Sequence, residues 1–433
     1  MAEHNTYIDS QIPYIGEIPA NWRLGRVKEA FCAVKTIVGD ESEKYERLAL
    51  TLKGVIKRSK TEAGGLQPEQ FETYQILREN ELVFKLIDLQ NTATSRVGRS
   101  PYTGIVSPAY IVLRDRKNRS TRYAEYYFLY MWMHHVFNQL GADGVRSSMG
   151  STALLNLPYP IVPEKEQEAI GEFLDQKCSQ MNALIDEASA SIEEYKAWKS
   201  SIIFEIVTKG LDPKAEMKES GIEYIGKIPA SWGIKKLRNI GTPQNGISKS
   251  GDSFGQGYPF VSYGDVYRNF SLPAVPSGLV SSTEEERLQY SVEEGDIFFT
   301  RTSETIEEVG FSCVCEETIP NATFAGFLIR VRPHANDLLT GFAKYYFRSP
   351  HHRAYFAREM NLVTRASLSQ GLLKSMPVVI PPKKEQKEIA DFLDHKCAVV
   401  DALITEKQKL IADLEAYKKS LIFEVVTGKR KVV

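Results

Sequence analysis

The chain has 433 residues, of which 42% are hydrophobic and 25% are charged, a composition typical of folded domains that excludes wholesale disorder. Its formal net charge of −1 gives by itself no indication of nucleic-acid binding. The first ten residues lack the basic start and apolar run of a secretory signal, and no apolar stretch approaches bilayer length, so we expect a cytoplasmic protein.

The cysteines are odd in number and scattered along the chain, which predicts reduced thiols rather than a disulfide framework. Cys313 and Cys315 have no second pair and no nearby histidine to complete a zinc site, so they are predicted to be structural. Cys178 and Cys397 fall at the same position of two repeated helices and are predicted to be small core residues.

In chain order, the first motif is a turn that occurs twice. Residues 14–22 read YIGEIPANW, and residues 224–232 read YIGKIPASW. The glycine and proline predict a tight turn, and the tryptophan after them is a large apolar anchor. Such a repeat indicates a structural unit that is used twice.

The segments that follow the two turns, residues 30–120 and 240–340, share little sequence beyond a coarse rhythm. Short apolar runs bounded by Gly, Asn, Asp and Pro predict β-strands, and short helices are predicted after them. The predicted strands lie within 81–86, 104–113, 296–300 and 324–331, and the predicted helices within 122–140 and 338–360.

Each copy ends in a stretch that predicts a long helix. Residues 164–208 align without a gap with residues 383–427, and both lack proline, so we expect two continuous helices of roughly 65 Å each. Apolar residues recur at alternating steps of four and three, the heptad pattern of a helix that packs against another helix. The predicted helix-pair interface consists of Leu174, Met181, Ile185, Ile192, Ile202, Leu393, Val400, Ile404, Ile411 and Leu421.

We predict that the two helices pack on each other, and two unrelated surface helices are the alternative. A pseudo-twofold arrangement would make the pair antiparallel, although nothing in the heptad pattern excludes a parallel pair. The predicted fold class is α+β, a tandem duplication of two mixed α/β domains separated by two long helices paired as an antiparallel coiled coil. The predicted boundaries are 1–160 and 211–380 for the domains, and 161–210 and 381–433 for the helices.

The sequence contains no recognisable catalytic motif. A G-x-x-x-x-G-K-[ST] loop, a G-x-G-x-x-G before a helix and the histidine spacing of a metal site are all missing. Asp212, Glu216 and Lys218 loosely match a nuclease cluster, but they lie in the linker between the copies, where a solvated charge run is the simpler interpretation. We therefore expect a non-catalytic chain. A nuclease or methyltransferase with drifted motifs and a purely structural coiled-coil adaptor are the alternatives.

Contact with nucleic acid is the better-supported class of function. Lysine and arginine cluster in Gly- and Ser-punctuated stretches of the first middle segment, where they would meet phosphates or base edges, and the second segment has a sparser set. For any single residue of this kind, simple solvation is the commoner explanation. The predicted DNA-binding residues are Lys53, Lys57, Arg58, Lys60, Arg96, Arg99, Tyr102, Arg146, Lys249, Tyr258, Tyr263, Arg268, Arg301, Thr302, Ser303 and Arg365.

Two motifs in the same order, each present twice, carry a resemblance to a known family. The turn motif is followed by Glu-Gln-x-x-Ile-x-x-Phe-Leu-Asp at residues 166–175 and again at 385–394, each time shortly after a proline. Together with the twofold repeat, these motifs resemble the DNA specificity subunit of type I restriction–modification systems. The resemblance covers essentially the whole chain.

The resemblance implies two target recognition domains, each of which reads one half of a bipartite sequence in the major groove of double-stranded DNA. It implies that the helical pair fixes the number of unspecified base pairs between the halves and docks two methyltransferase subunits. Restriction and translocase subunits would join this complex. The chain itself would need no cofactor, because other subunits would use S-adenosylmethionine, ATP and Mg²⁺.

Overall fold

The computed structural model describes residues 6–60, 71–87, 89, 96–140, 148–303, 309–334, 337–349, 352, 355–356 and 366–432. The chain divides into two units, one formed by residues 1–189 with 409–433 and the other by residues 190–408. Both long helices are continuous, over Glu164–Lys209 and Lys383–Val426. Each unit therefore combines one predicted domain with a part of both long helices.

Short strands form much of the first unit. They are β1 (Tyr7–Asp9), β2 (Glu17–Pro19), β3 (Arg23–Arg26), β4 (Phe31–Val34), β5 (Arg47–Thr51), β6 (Gly54–Arg58), β7 (Gln75–Leu77), β8 (Leu82–Phe84), β9 (Val97–Arg99), β10 (Gly104–Val106), β11 (Ile111–Asp115) and β12 (Pro158–Ile161). Two four-stranded sheets have the orders β6-β5-β10-β7 and β4-β11-β8-β9, and two-stranded ribbons join β1 to β2 and β3 to β12.

An aromatic-rich helix, Arg122–Met133, covers the second of these sheets. The ring of Phe128 packs edge-on against Phe84 of β8, with centroids 5.0 Å apart, and Tyr127 is buried beside them. Such pairs add stability beyond the area they bury. The remaining helices of the unit outside the long pair are Val27–Ala30, Val136–Leu140, Ser151–Asn156 and the 3-10 helix Gly39–Lys44.

The second unit repeats this design. Its strands are β13 (Met217–Glu219), β14 (Lys227–Pro229), β15 (Gly233–Lys236), β16 (Gly241–Asn245), β17 (Phe254–Val261), β18 (Gly278–Val280), β19 (Ile297–Thr300), β20 (Thr302–Ser303), β21 (Ser312–Val314), β22 (Thr323–Phe324), β23 (Leu328–Pro333), β24 (Ala366–Ser367) and β25 (Pro377–Ile380). Its short helices are Leu237–Asn239 and Gly251–Ser253 (both 3-10), Tyr263–Arg268, Glu284–Gln289, Thr340–Arg348 and Gln370–Ser375.

The two middle segments have the same topology although their sequences have diverged. In the second unit the four-stranded sheet has the order β16-β23-β19-β21, which matches β4-β11-β8-β9 element by element, and β15-β25 matches β3-β12. The three-stranded sheet β18-β17-β22 matches β6-β5-β10, including the parallel pairs β17-β22 and β5-β10. The predicted tandem duplication of α+β domains is therefore confirmed.

An ion pair between a partly exposed arginine and a buried carboxylate recurs in both units. In the first unit, Arg114 of β11 donates to Glu81 at 2.6 Å. In the second, Arg332 of β23 donates to Asp296 at 2.7 Å. Each carboxylate precedes the central strand β8 or β19 and accepts a backbone N–H three residues back in the chain. The pair connects the turn before the central strand to the neighbouring strand. It is present in both units, although other residues of the two sheets differ.

The long helices pair in antiparallel fashion within each unit. In the first unit Lys418 donates to Asn182 at 2.8 Å, and the Arg430 guanidinium lies 5.7 Å from the ring centroid of Phe173, so the numbering rises along one helix as it falls along the other. In the second unit Lys199 donates to Asp401 at 2.7 Å. These two lysine contacts join equivalent positions of the repeat, as a pseudo-twofold pairing requires.

The residues of the predicted helix-pair interface differ in burial. Among the described residues, Leu174, Met181, Ile192, Leu393, Val400 and Leu421 are buried, while Ile185, Ile202, Ile404 and Ile411 are half-buried. In the last turns of the first helix, the fully buried residues are Ile203 and Val207 instead of Ile202. Ile203 and Val207 belong to the hydrophobic core of the second unit. At the positions of the second helix equivalent to Ile202 and Ile203, Leu421 and Ile422 are both buried, so the two copies differ here.

Each unit holds the C-terminal end of a long helix against its turn motif. Lys429 donates to the carbonyl oxygens of Ile15 and Glu17, and Lys209 donates to those of Ile225 and Lys227, which are the same motif positions. Burial lowers the pKa of both lysines. The order of the two residues differs, with Lys-Gly at 209–210 and Gly-Lys at 428–429. Each ammonium group nevertheless reaches the two equivalent carbonyl oxygens in the turn motif of its own unit.

We expect Gly428→Ala to destabilise the first unit by about 2–4 kcal/mol. Gly428 has φ +72°, and a Cβ there would overlap the ring of Pro19 and lie 3.1 Å from Trp22. Gly221→Ala is the matched control, because Gly221 has φ +70° and no atom lies within 4 Å of the position that its Cβ would take. Urea denaturation should show the larger loss for Gly428→Ala, and equal losses would remove the packing argument.

Candidate nucleic-acid interface

The repeated motifs form the joint between each domain and its helices. In the second unit the Trp232 indole N–H donates to Glu385 at 2.7 Å, and Tyr345 donates to Asp394 at 2.7 Å. In the first unit Tyr126 donates to the equivalent Asp175 at 2.8 Å. The motif residues are thus occupied in holding the frame, which leaves the loops and sheet faces of the middle segments as candidate contact surfaces.

The outer face of the β5–β6 hairpin forms a basic groove of about 560 Å³ in the first unit. Arg47 and Arg58 lie directly opposite each other in the strand register, and the exposed Lys53 lies at the hairpin turn. Tyr74 and Tyr110 line the groove beside them. Burial raises the pKa of Tyr110, and the nearby charges of the two arginines oppose that rise. We name this feature the Arg47–Arg58 groove.

Other predicted cations of this unit are already paired. Lys57 contacts Glu46 at 2.5 Å, and this hydrogen bond raises the pKa of the lysine. Lys60 contacts Glu43 at 3.2 Å, and Arg99 contacts Glu125 at 3.1 Å. Lys57 also lies over the ring of Tyr102, which is partly exposed.

Arg96 needs correction as a predicted surface residue. Its side chain is only 1% exposed, and it donates to the carbonyl oxygen of Ile87 at 3.2 Å. A buried guanidinium that satisfies a backbone carbonyl cannot also reach DNA. Arg146 and Arg365, which were also predicted, lie outside the described residues.

Two of the predicted residues in the described part of the second unit already have partners. Lys249 contacts Glu286 at 2.5 Å, which lowers the pKa of the glutamate. The guanidinium of Arg287 lies over the ring of Tyr258, 3.8 Å from the centroid of that ring. The remaining predicted residues of this part are Tyr263, which stacks on Tyr267, and Arg268, which is exposed.

A second candidate surface surrounds the end of β19. Thr302 and Ser303 form β20, whose backbone pairs with β24, and Arg301 donates toward the carbonyl oxygen of Gly326 at 3.5 Å. Phe327, which follows that glycine, is 63% exposed. The Gln370 amide donates to Asn245 at 3.1 Å at the start of the helix Gln370–Ser375. Amide, guanidinium and aromatic groups of this kind are those that read base edges.

Neither metal nor membrane chemistry is indicated where the structure is described. Among those residues, no group of three or more His, Cys, Asp or Glu side chains is placed to hold a metal ion. Within the same ranges, no helix combines the length and apolarity that crossing a membrane would need.

Sequence comparison finds similarity to one family of proteins. Residues 229–415 match the family model of the type I restriction modification DNA specificity domain. The putative type I restriction enzyme MjaX specificity subunit of Methanocaldococcus jannaschii is 24% identical over 421 residues, which cover 91% of this chain and 90% of that protein. The chain is similar to specificity subunits of type I restriction–modification systems. Both repeated motifs and the duplicated frame agree with this similarity.

Other members of the specificity family show the same likeness. The type I restriction enzyme EcoKI specificity subunit of Escherichia coli is 27% identical over 277 residues. That alignment covers 62% of this chain and spans little more than half of the relative, 56% of its length. A solved structure described as the basis of complex assembly and conformational transition of the type I R-M system aligns with TM-score 0.70 over 94% of this chain and 98% of its own, at 14% identity. This last match supports the fold.

Sequence reasoning missed several residues of the two candidate surfaces. Arg47 lies on a strand whose alternating pattern RLALT places it outward, so the pattern could have identified it. Phe327, Asn245 and Gln370 come together only through the fold, and no local pattern signals them.

Proposed function

We propose that this chain is the non-catalytic, sequence-specific DNA-binding subunit of a type I restriction–modification complex. Each middle segment would read one half of a bipartite target. The observation that supports this most directly is the combination of one sheet topology in both units with different residues on the outer faces of those sheets. A frame used twice with two different surfaces is what the recognition of two different half-sites requires.

The helical pair is proposed to fix the spacing between the half-sites. Two half-sites are read from one side of a duplex only at defined separations along the helical turn, so a stiff element must set that distance. The long helices have 46 and 44 residues, which corresponds to roughly 65–70 Å each. The antiparallel contacts in both units stiffen the pair.

We propose that two methyltransferase subunits dock on the helical pair, one at each end. Each unit exposes one large aromatic side chain at the same repeat position, Trp198 with 48% and Tyr417 with 53% exposure. Aromatic residues of this size are typical anchors of protein interfaces. Equivalent anchors on a pseudo-symmetric pair favour two copies of one partner over a single copy. Restriction and translocase subunits would then join through this complex, and they would supply the ATP- and Mg²⁺-dependent chemistry.

We expect Trp198→Ala or Tyr417→Ala to weaken one of the two methyltransferase docking sites by roughly tenfold or more, because the complex would lose an aromatic anchor that the partner buries. Complexes measured by light scattering should then contain one methyltransferase subunit instead of two. Leu288→Ala is the control, since Leu288 is 74% exposed and lies outside the long helices. Unchanged stoichiometry in the double variant would contradict this docking site.

The experiment that tests the proposed function is methylation mapping. The chain would be expressed with a matching methyltransferase subunit, and the methylated positions of the host genome would be determined. We expect a bipartite sequence with a fixed gap. The purified chain alone should neither cut nor methylate DNA when supplied with Mg²⁺, ATP and S-adenosylmethionine. Either activity in the isolated chain would favour an enzyme instead.

A further inference from the structure

The Arg47–Arg58 groove has an arrangement that costs stability. The two arginines face each other across neighbouring antiparallel strands, and like charges in directly opposite positions destabilise a sheet. Among the described residues, neither side chain has a salt bridge, whereas Lys57 on the same hairpin is neutralised by Glu46. The Arg47 guanidinium lies 5.8 Å from the ring centroid of Phe71, but no carboxylate of the described residues offsets the repulsion between the two arginines. An external ligand with acceptor groups would relieve it.

The second unit shows that the frame does not require these arginines. In the matching sheet, Phe260 of β17 is the parallel neighbour of β22 and pairs with Gly278 of β18. Arg47 has the same place beside β10 and pairs with Arg58. The opposed arginines therefore belong to the part of the structure that differs between the units.

The floor of the groove is rigid. The buried Gln75 amide donates to the carbonyl oxygens of Ser107 at 2.9 Å and Tyr110 at 2.7 Å, which fixes the loop after β10. Tyr74 is buried, and its backbone carbonyl accepts from Val38. A groove whose floor is already fixed needs little rearrangement when the planar edge of a base enters it.

We propose that Arg47 and Arg58 are specificity-determining residues that read guanine in the major groove, in one half of the DNA target. This inference rests on the proposed function. The guanidinium presents a planar fork of N–H donors, and guanine offers O6 and N7 as a matching pair of acceptors. Lys53 at the hairpin turn supplies charge for the adjoining phosphates without reading sequence.

The test uses the full chain with its methyltransferase subunit and a library of DNA duplexes with both half-sites randomised. We expect wild-type protein to select a bipartite sequence with guanine at one or two fixed positions of one half. Arg47→Gln and Arg58→Gln should lose that preference, with affinity for the selected duplex falling roughly 5- to 150-fold. The other half-site should remain unchanged.

Arg58→Lys separates base reading from phosphate binding. Lysine keeps the charge but lacks the fork, so a base reader should lose its guanine preference while a phosphate contact would keep it. Lys117→Gln is the control. It removes one charge from an exposed turn just after β11, whereas Tyr110, which lines the groove, lies just before that strand. The inference is overturned if both Gln variants weaken all duplexes equally, or if Arg58→Lys retains the preference. If wild type selects no bipartite sequence, the proposed function fails first, and this inference fails with it.

Discussion

Exchange of residues 30–150 for the corresponding segment of another family member should replace one half of the DNA target and leave the other half and the gap unchanged. The fold supports these cut points. The ribbon β3–β12, formed by Arg23–Arg26 and Pro158–Ile161, lies outside the exchanged segment and would still close the base of the domain. The turn motif and both long helices also stay native, so the frame is preserved.

The exchanged segment must still fit two fixed contacts. Tyr126 donates to Asp175, and the buried Tyr123 donates to the carbonyl oxygen of Val426 at 2.9 Å. A donor segment should therefore retain tyrosine at both positions, or else loss of stability would obscure the change in specificity. Burial raises the pKa of both tyrosines well above its ordinary value, so these donors stay protonated at any pH at which the protein is handled.

Methylation mapping measures the result of the exchange, and the specificity change should be complete, since every base contact of one half would come from the new segment. The matched experiment exchanges residues 240–370 and should change the other half alone. A change in both halves after one exchange would contradict independent recognition, as would a change in the gap length.

The predictable parts of this protein are those that occur twice in its sequence. The two turn motifs and the two gapless helices indicated the duplication and the antiparallel pair, because a repeated pattern averages out local ambiguity. The exact buried stripe was less predictable. Ile202 and Ile203 are both apolar, and Ile203 alone is fully buried, whereas both equivalent residues of the second helix, Leu421 and Ile422, are buried.

Which cations remain available for DNA could not be read from the sequence. Lys57 and Arg58 are neighbours, yet only Lys57 meets a carboxylate, because successive residues of a strand point to opposite faces and Glu46 immediately precedes the adjacent strand. Arg96 looked like a loop residue but is buried. Pairing of this kind depends on contacts between segments far apart in the chain, which local composition does not encode.

We expect Asp296→Ala to destabilise the second unit by about 2–4 kcal/mol, because a buried backbone N–H loses its acceptor and two charge-assisted hydrogen bonds are lost. Asp296 is fully buried. It accepts from Arg332 through both carboxylate oxygens at 2.7 Å and from the backbone N–H of Glu293 at 2.8 Å. Alanine would leave that N–H without its acceptor. Of its two carboxylate partners, Arg332 would keep Glu293, at 2.8 Å.

Asp296→Asn separates the two parts of this loss. The amide oxygen can still accept from the Glu293 N–H, but the charge that pairs with Arg332 is gone, so the loss should be smaller than for alanine. Glu81→Ala makes the equivalent change in the first unit, where Arg114 is the partner. Calorimetry of the full chain should show each alanine variant lowering the unfolding temperature of its own unit. If Asp296→Ala lowers the free energy of unfolding by less than about 1 kcal/mol, the ion pair does not stabilise the second unit.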